Sequence, residues 1–202
     1  MRPALGVTIL LLLGWATFSS GCSVSLAPER PLQPVAHDFG PVIDLPRERV
    51  SGYGSQLVVE APEWLQNDRI HYRLLYSDPT RVRSYALDRW LAPPPMLLAQ
   101  RLTAGSAAGG CQLRIQLRAF EQLFDRPQSA RVVMRFFARV QTPGTGRPVY
   151  RKAFQLSRST TSADAAGAVS GFALLVNDAG HRLRTWLAGL PPCAVPVDRR
   201  SE

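Results

Sequence analysis

The side chains best suited to chemistry in this sequence are three histidines and three cysteines, and the histidine spacing argues against catalysis. His37, His71 and His181 lie far apart in the chain, and none has a neighbour at the short spacing typical of metal ligands. The chain has no Gly-x-Ser-x-Gly nucleophile motif, no P-loop and no dinucleotide-binding fingerprint. We therefore expect that the protein is not an enzyme and that it holds no metal and no cofactor.

One thiol, that of Cys22, lies where covalent lipid chemistry is expected. It follows Ser19-Ser20-Gly21 at the end of an apolar run over residues 7–15, and Arg2 supplies the positive start of an export signal. The run is too short for a membrane span, which needs roughly 20 apolar residues. Small residues before a cysteine are typical of lipoprotein signals, although Ser19 stands where Leu is usual. We expect a lipoprotein signal peptide over residues 1–21 and a palmitate-bearing lipid on Cys22. The alternative is an ordinary cleaved signal.

The residue after Cys22 indicates a compartment, and the two remaining cysteines indicate a disulfide. Residue 23 is Ser rather than the Asp that favours inner-membrane retention in many Gram-negative bacteria, so we expect the periplasmic face of the outer membrane. With Cys22 lipidated, Cys111 and Cys193 form an even pair in an oxidising compartment, which predicts a disulfide between them. Two unpaired buried thiols are the alternative.

The charge is strongly positive and comes almost entirely from arginine. The formal net charge is +9, and Lys152 is the only lysine. Attraction to anionic lipid or to an acidic partner is one consequence, and the composition of a GC-rich genome is the plainer explanation. Nucleic-acid binding is not expected of an exported chain. Without residues 1–21, about 180 residues remain, which is enough for one domain with a proper core.

The order of periodic segments predicts strands, a helix, more strands and a long helix. Strands are expected at 57–60, 70–76, 82–87, 111–118, 131–140 and 148–156. Helices are expected at 92–102, with prolines in the first turn, and at 162–187, where Thr161-x-x-Asp164 resembles a capping box. This pattern predicts an α+β fold with a mostly antiparallel sheet and two helices packed on one face.

The expected organisation has four parts. They are a lipoprotein signal peptide at 1–21, a lipidated tether and lead-in at 22–56, a folded domain at 57–193 and a C-terminal tail at 194–202. On the sheet face without helices, alternation places a row of arginines: Arg114, Arg118, Arg131, Arg135 and Arg139. We interpret this row as a surface that faces a partner or the membrane. A solvated sheet face is the alternative.

A series of short patterns in chain order resembles the ABC-type transport auxiliary lipoprotein family, the group that includes PqiC. The patterns are Asp38-Phe39-Gly40, Leu57-Val58-Val59 with Trp64-Leu65, Asp68-Arg69-Ile70, Arg89-Trp90, Cys111-x-Leu-Arg-Ile-x-Leu, Phe120-Glu121-Gln122, Phe124-Asp125, and an Ala-rich helix ending in Trp186-Leu187. The resemblance covers about residues 36–188, nearly all of the mature chain.

The resemblance implies a non-enzymatic periplasmic subunit anchored to the outer membrane. Such a protein would accompany an MCE-domain protein, an inner-membrane permease and an ATPase, which together move lipids between membranes and maintain envelope integrity. It would dock the periplasmic end of the MCE assembly and could form a homo-oligomer. Two other functions remain open: an acyl-chain-binding carrier or chaperone-like lipoprotein, and a purely structural envelope lipoprotein.

Overall fold

The computed structural model describes residues 32–41, 53–103, 111–141 and 148–191. The chain divides into a unit of residues 1–32 and a unit of residues 33–202, and the elements below belong to the second unit. The strands are β1 Val35–His37, β2 Tyr53–Glu60, β3 Arg69–Leu74, β4 Asp78–Trp90, β5 Cys111–Arg126, β6 Ser129–Gln141 and β7 Pro148–Ser159. The helices are α1 Pro94–Thr103 and α2 Ala165–Ala188, and a short 3₁₀ helix spans Glu63–Leu65.

The sheet is organised around β5, its longest strand. The strand order is β1-β4-β3-β5-β6-β7, and β2 pairs with β5 outside this path. On one side β5 forms a long antiparallel ladder with β6. On the other side its first half pairs in parallel with β2 and its second half in parallel with β3. The longest ladders are antiparallel, which confirms the predicted α+β class.

The core lies between the sheet and the two helices. The residues of α2 that repeat at helical spacing are buried, and Phe172 among them stacks on Phe120 of β5 with ring centroids 4.0 Å apart. Trp90, at the end of β4, contacts Phe172 edge-on at 5.6 Å. Leu98 of α1 belongs to the same buried cluster. This arrangement confirms that the apolar stripe of the long helix packs on the sheet.

Glycines let α2 approach its neighbours closely. A Cβ atom on Gly171 would lie 3.1 Å from Cγ2 of Val132 in β6, and one on Gly180 would lie 3.3 Å from Cδ2 of Leu102 in α1. Because any side chain at Gly171 would push against a fully buried valine, the small residue there sets the distance between the helix and the sheet.

The start of α2 differs from the expected capping box. The helix begins at Ala165, and Asp164 is its N-cap rather than the third residue of its first turn. Oδ1 of Asp164 accepts hydrogen bonds from the Gly167 N–H at 2.7 Å and from the Ser162 hydroxyl at 2.6 Å. These donors stabilise the carboxylate and lower the pKa of Asp164 below its usual value. The predicted role of Thr161 as the cap is therefore wrong.

Strand β5 continues to Arg126, well beyond the end expected at residue 118. The pairing with β6 is irregular between Leu117 and Ala119, so Arg118 is an extra residue in a β-bulge. After the bulge the core positions of β5 change from odd to even numbers, because Phe120 pairs with Met134. The strict alternation therefore ends at residue 118, although the strand continues.

Strand β1 and the buried Phe39 lie inside the stretch expected to be tether and lead-in. β1 pairs in parallel with β4, and Phe39 contacts the rings of both Trp90 and Phe120. Gly40 follows with a φ of 73°, a left-handed conformation that glycine adopts without strain. The Asp38-Phe39-Gly40 pattern thus places one aromatic side chain in the core.

Candidate functional site

The sheet face opposite the helices carries all five predicted arginines, and we call it the arginine face. In the β5–β6 ladder Arg114 pairs with Arg139, Ala119 with Arg135, and Leu123 with Arg131. These positions alternate with buried core residues of the same strands. The predicted row of Arg114, Arg118, Arg131, Arg135 and Arg139 therefore lies on one surface.

Three of these arginines are already engaged by other side chains. Arg131 forms a two-bonded ion pair with Asp125, with Nε–Oδ2 at 3.0 Å and Nη2–Oδ1 at 3.3 Å. Arg114 is ion-paired with Glu60 of β2, and Arg139 donates to Oε1 of Gln116 at 3.4 Å. The charges of Arg114 and Arg131 are thus balanced by carboxylates, and Arg139 is held by a neutral amide.

The other two arginines, Arg118 and Arg135, have no acidic or hydrogen-bonding partner within the described ranges. Both side chains are exposed. They line a cavity of about 360 Å³, together with Phe137, Ala153 and Gln155. We call it the arginine-face cavity. It combines unpaired positive charge with apolar surface.

Apolar residues on the arginine face were missed by the sequence analysis. Ala119 and Leu123 of β5 are buried, and so is Val133 of β6, which is 2% exposed. Phe137 is half-buried, and the guanidinium of Arg151 in β7 lies over its ring. The phase change at the bulge hid Ala119 and Leu123, because it moves odd positions of β5 onto the arginine face. Val133 and Phe137 could have been found from the regular alternation of β6, which places them on the same face as Arg135.

A second polar cluster on the same face joins β3 to β5. Nε of Arg73 donates to Oε2 of Glu121 at 2.6 Å, and Nη1 donates to the carbonyl oxygens of Pro79 and Thr80. His71 is buried nearby, and burial lowers its pKa although Glu121 acts in the opposite direction. In the described part of the chain no three His, Cys, Asp or Glu side chains could share a metal ion. This cluster ties the start of β4 to β3 and β5.

Arg101 of α1 forms a buried polar link between three elements. Nη2 donates to Oδ1 of Asn177 in α2 at 2.7 Å, and Nη1 donates to the carbonyl of Gly40 at 3.2 Å. Only 9% of the residue is exposed. Because the link fixes the turn after β1 against both helices, we assign Arg101 a structural role.

A second cavity, of about 560 Å³, lies between the β1 segment and the first half of α2, and we call it the β1 groove. Its walls include Ala36, Phe39, Leu91, Val169 and Ala173. The walls are largely apolar, and Leu91 is 66% exposed. The groove is therefore a surface on which an apolar chain could lie.

The cysteine predictions fall mostly outside the described residues. Cys111 is the buried first residue of β5, whereas Cys22 and Cys193 lie outside the described ranges, as do the signal peptide at 1–21 and the tail at 194–202. The lipidation and the Cys111–Cys193 disulfide therefore stay predictions. Neither described helix has the length and apolarity needed to cross a bilayer.

Solved structures share this fold. Protein XCC0632 from Xanthomonas campestris, of family DUF330, matches with a TM-score of 0.60 and 19% identity, over 77% of this chain and 93% of that one. An uncharacterized protein matches with a TM-score of 0.56 and 12% identity, over 77% and 99% of the two chains. At these identities the similarity shows the fold alone.

Bacterial lipoproteins are also among the structural matches. The minor lipoprotein from Acinetobacter baumannii matches with a TM-score of 0.33 and 8% identity, over 69% of this chain and 96% of that one. This similarity is too weak to argue from. No family model matches the sequence, and no curated protein matches it. The closer resemblance to ABC-type transport auxiliary lipoproteins stays a prediction.

Proposed function

We propose that this chain is a lipid-anchored auxiliary subunit of an MCE-type ABC transport system, held at the periplasmic face of the outer membrane. Its role is to dock and stabilise an assembly that carries lipids between membranes. Cys22 supplies the anchor, and the folded domain supplies the contact surface. The subunit itself carries out no catalytic step.

The observation that carries the proposal is the mixed character of the arginine face. Five arginines share this face with the half-buried ring of Phe137 and the exposed Ala153, and two of the arginines are without partners in the described structure. Interfaces between proteins combine arginine and aromatic residues with an apolar centre in this way. A partner that covers the arginine face has to present both acidic and apolar side chains.

The MCE partner is supported by the family resemblance. An auxiliary subunit needs a surface for its partner and a means of staying at its membrane, and it needs no active site. The anchor predicted at Cys22 and the arginine face meet these two requirements separately. Loss of either one should therefore weaken the assembly in a different way.

Affinity purification tests the proposal. The tagged full chain, cross-linked in its own cells and extracted in mild detergent, should bring down an MCE-domain protein with its permease and ATPase. The test variant replaces four arginines of the arginine face by Gln: Arg114, Arg118, Arg131 and Arg135. The control variant removes the same charge from exposed arginines elsewhere: Arg81, Arg126, Arg158 and Arg182.

Recovery of the MCE protein should fall for the test variant and stay at the wild-type level for the control. Equal recovery with both variants would contradict a docking role for the arginine face. If wild-type protein recovers no MCE-domain protein, the proposed function itself is wrong, and a purely structural envelope lipoprotein becomes the better account.

The β1 groove favours a second candidate, an acyl-chain-binding carrier. A carrier needs an apolar cavity, and the volume of about 560 Å³ lies within the range of small-ligand sites. Mass spectrometry of the purified chain separates the two candidates. A carrier retains a non-covalent lipid at a one-to-one ratio, and replacement of Val169 by Gln should release it. A docking subunit retains only the lipid attached to Cys22.

A further inference from the structure

The arginine-face cavity brings two unpaired guanidinium groups together beside an aromatic ring. We infer that this cavity binds the phosphate headgroup of an anionic phospholipid, with the adjoining apolar part of the lipid lying against Phe137 and Ala153. The inference goes beyond docking, because it gives the domain a ligand of its own. It holds whether or not an MCE protein is the partner.

The charges at this cavity are available to a ligand. Arg114 and Arg131 are neutralised by Glu60 and Asp125, whereas Arg118 and Arg135 meet no acidic group in the described parts of the chain. Both unpaired side chains are exposed, so an anion can approach without breaking an existing bond. A guanidinium presents paired N–H donors that match phosphate oxygens. Two such groups therefore form a suitable clamp for one phosphate.

The β-bulge explains why two arginines meet here. Ala119 pairs with Arg135 across the ladder, and Arg118 is the extra residue immediately before it. A regular strand would turn residues 118 and 119 to opposite faces, but the bulge directs both toward the arginine face. As a result Arg118 of β5 and Arg135 of β6 line one cavity. Bulges often redirect a side chain toward a binding site.

The apolar part of the cavity selects a lipid rather than a free anion. Phe137 forms one wall, and Arg151 covers its ring with the guanidinium carbon 4.4 Å from the centroid. Ala153 of β7 is exposed beside it. A phosphate alone would leave this surface in water, whereas a glycerol ester would bury it. The volume of about 360 Å³ accommodates a headgroup with its first ester bonds.

Calorimetric titration tests the inference on the mature chain, residues 22–202, with Cys22→Ser so that no anchor contributes. The probe is dihexanoyl phosphatidylglycerol below its micelle concentration. Inorganic phosphate and hexaglutamate are the comparison ligands. The variants are Arg118→Gln with Arg135→Gln, the charge-matched control Arg126→Gln with Arg158→Gln, and Phe137→Ala alone. Circular dichroism verifies that each variant folds, which the exposure of both cavity arginines favours.

The short-chain lipid should bind at one site and lose about tenfold or more in affinity in the Arg118/Arg135 variant, with no change in the control. Phe137→Ala should weaken binding of the lipid and leave binding of phosphate unchanged.

Equal weakening of lipid binding in both double variants would show a general charge effect and overturn the site. Phosphate binding as tightly as the lipid would overturn the apolar part, and tighter binding of hexaglutamate would indicate a protein ligand instead. Absence of lipid binding would refute the inference outright.

Discussion

The guanidinium carbon of Arg151 lies 4.4 Å from the centroid of the Phe137 ring. The contact joins the last strand of the sheet order, β7, to its neighbour β6, and it holds the ring in the wall of the arginine-face cavity. Residues 139 and 151 are paired in the same ladder, so the contact bridges diagonally between adjacent strands. It is therefore both a stabilising contact and a part of the candidate site.

A double-mutant cycle measures this contact. Arg151→Gln and Phe137→Leu should each lower the free energy of unfolding, and their coupling should be about 0.5–1 kcal/mol, as expected for an exposed cation–π pair. Urea denaturation monitored by tryptophan fluorescence gives the values. A coupling of zero would mean that the ring and the guanidinium are independent neighbours.

Two glycines of α2 should respond oppositely to alanine. Gly171→Ala places a Cβ atom 3.1 Å from Val132 and 3.2 Å from Thr160, both β-branched residues that cannot easily move aside. We expect a cost of about 1–3 kcal/mol from overpacking, which exceeds the gain of roughly 1 kcal/mol in helix propensity. Gly180→Ala meets only the ends of Leu102 and Arg184 and should be neutral or stabilising. Urea denaturation gives the free energy of unfolding of each variant, and an equal loss in both would contradict this difference.

Loss of Asn177 should destabilise the protein because it leaves Arg101 buried without its best acceptor. Asn177→Leu should cost about 3 kcal/mol, and the double variant Arg101→Met with Asn177→Leu should cost less than the two single changes added together. Arg182→Gln removes an exposed pair with Asp178 and serves as the control, with an expected cost under about 0.5 kcal/mol. Additive effects at residues 101 and 177 would show that the link contributes nothing of its own.

The N-cap of α2 should make stability depend on pH. The pKa of Asp164 is lowered in the folded protein, so its contribution is present above the unfolded pKa and is lost as pH falls through the folded pKa. Near pH 6, Asp164→Ala should cost about 1 kcal/mol, and Asp164→Asn should retain the cap. As the pH falls from about 5 to about 2, the Asp164 carboxylate becomes protonated. The stability advantage of wild type over the Asn variant should therefore shrink to zero or reverse. A constant difference between the two across that range would contradict the assignment.

Much of the fold follows from patterns that are local in the sequence. Alternation in β6 and helical spacing from Val169 to Leu187 predict which side of each element is buried, because each period is a direct consequence of backbone geometry. The start of the long helix was predicted three residues too early, because its cap is Asp164 and not Thr161. The α+β class could therefore be predicted without the structure.

The details of the candidate site could not be predicted in the same way. The bulge at Arg118 changes the phase of β5 without a glycine or proline to mark it. The acidic partner of Arg114 is Glu60, on a different strand, and no periodicity indicates that pairing. Sequence alone therefore gave five equivalent arginines, whereas pairing in space separates Arg118 and Arg135 from the other three.

Replacement of Cys22 by Ser tests the central claim, an anchored docking subunit, most directly. In cells that lack the wild-type gene, the Cys22→Ser chain should carry no palmitate label and should leave the membrane fraction. The cells should then be as sensitive to detergent as the deletion strain, while wild-type protein restores resistance. Full resistance supported by a soluble Cys22→Ser chain would contradict the account, because docking would then need no anchor.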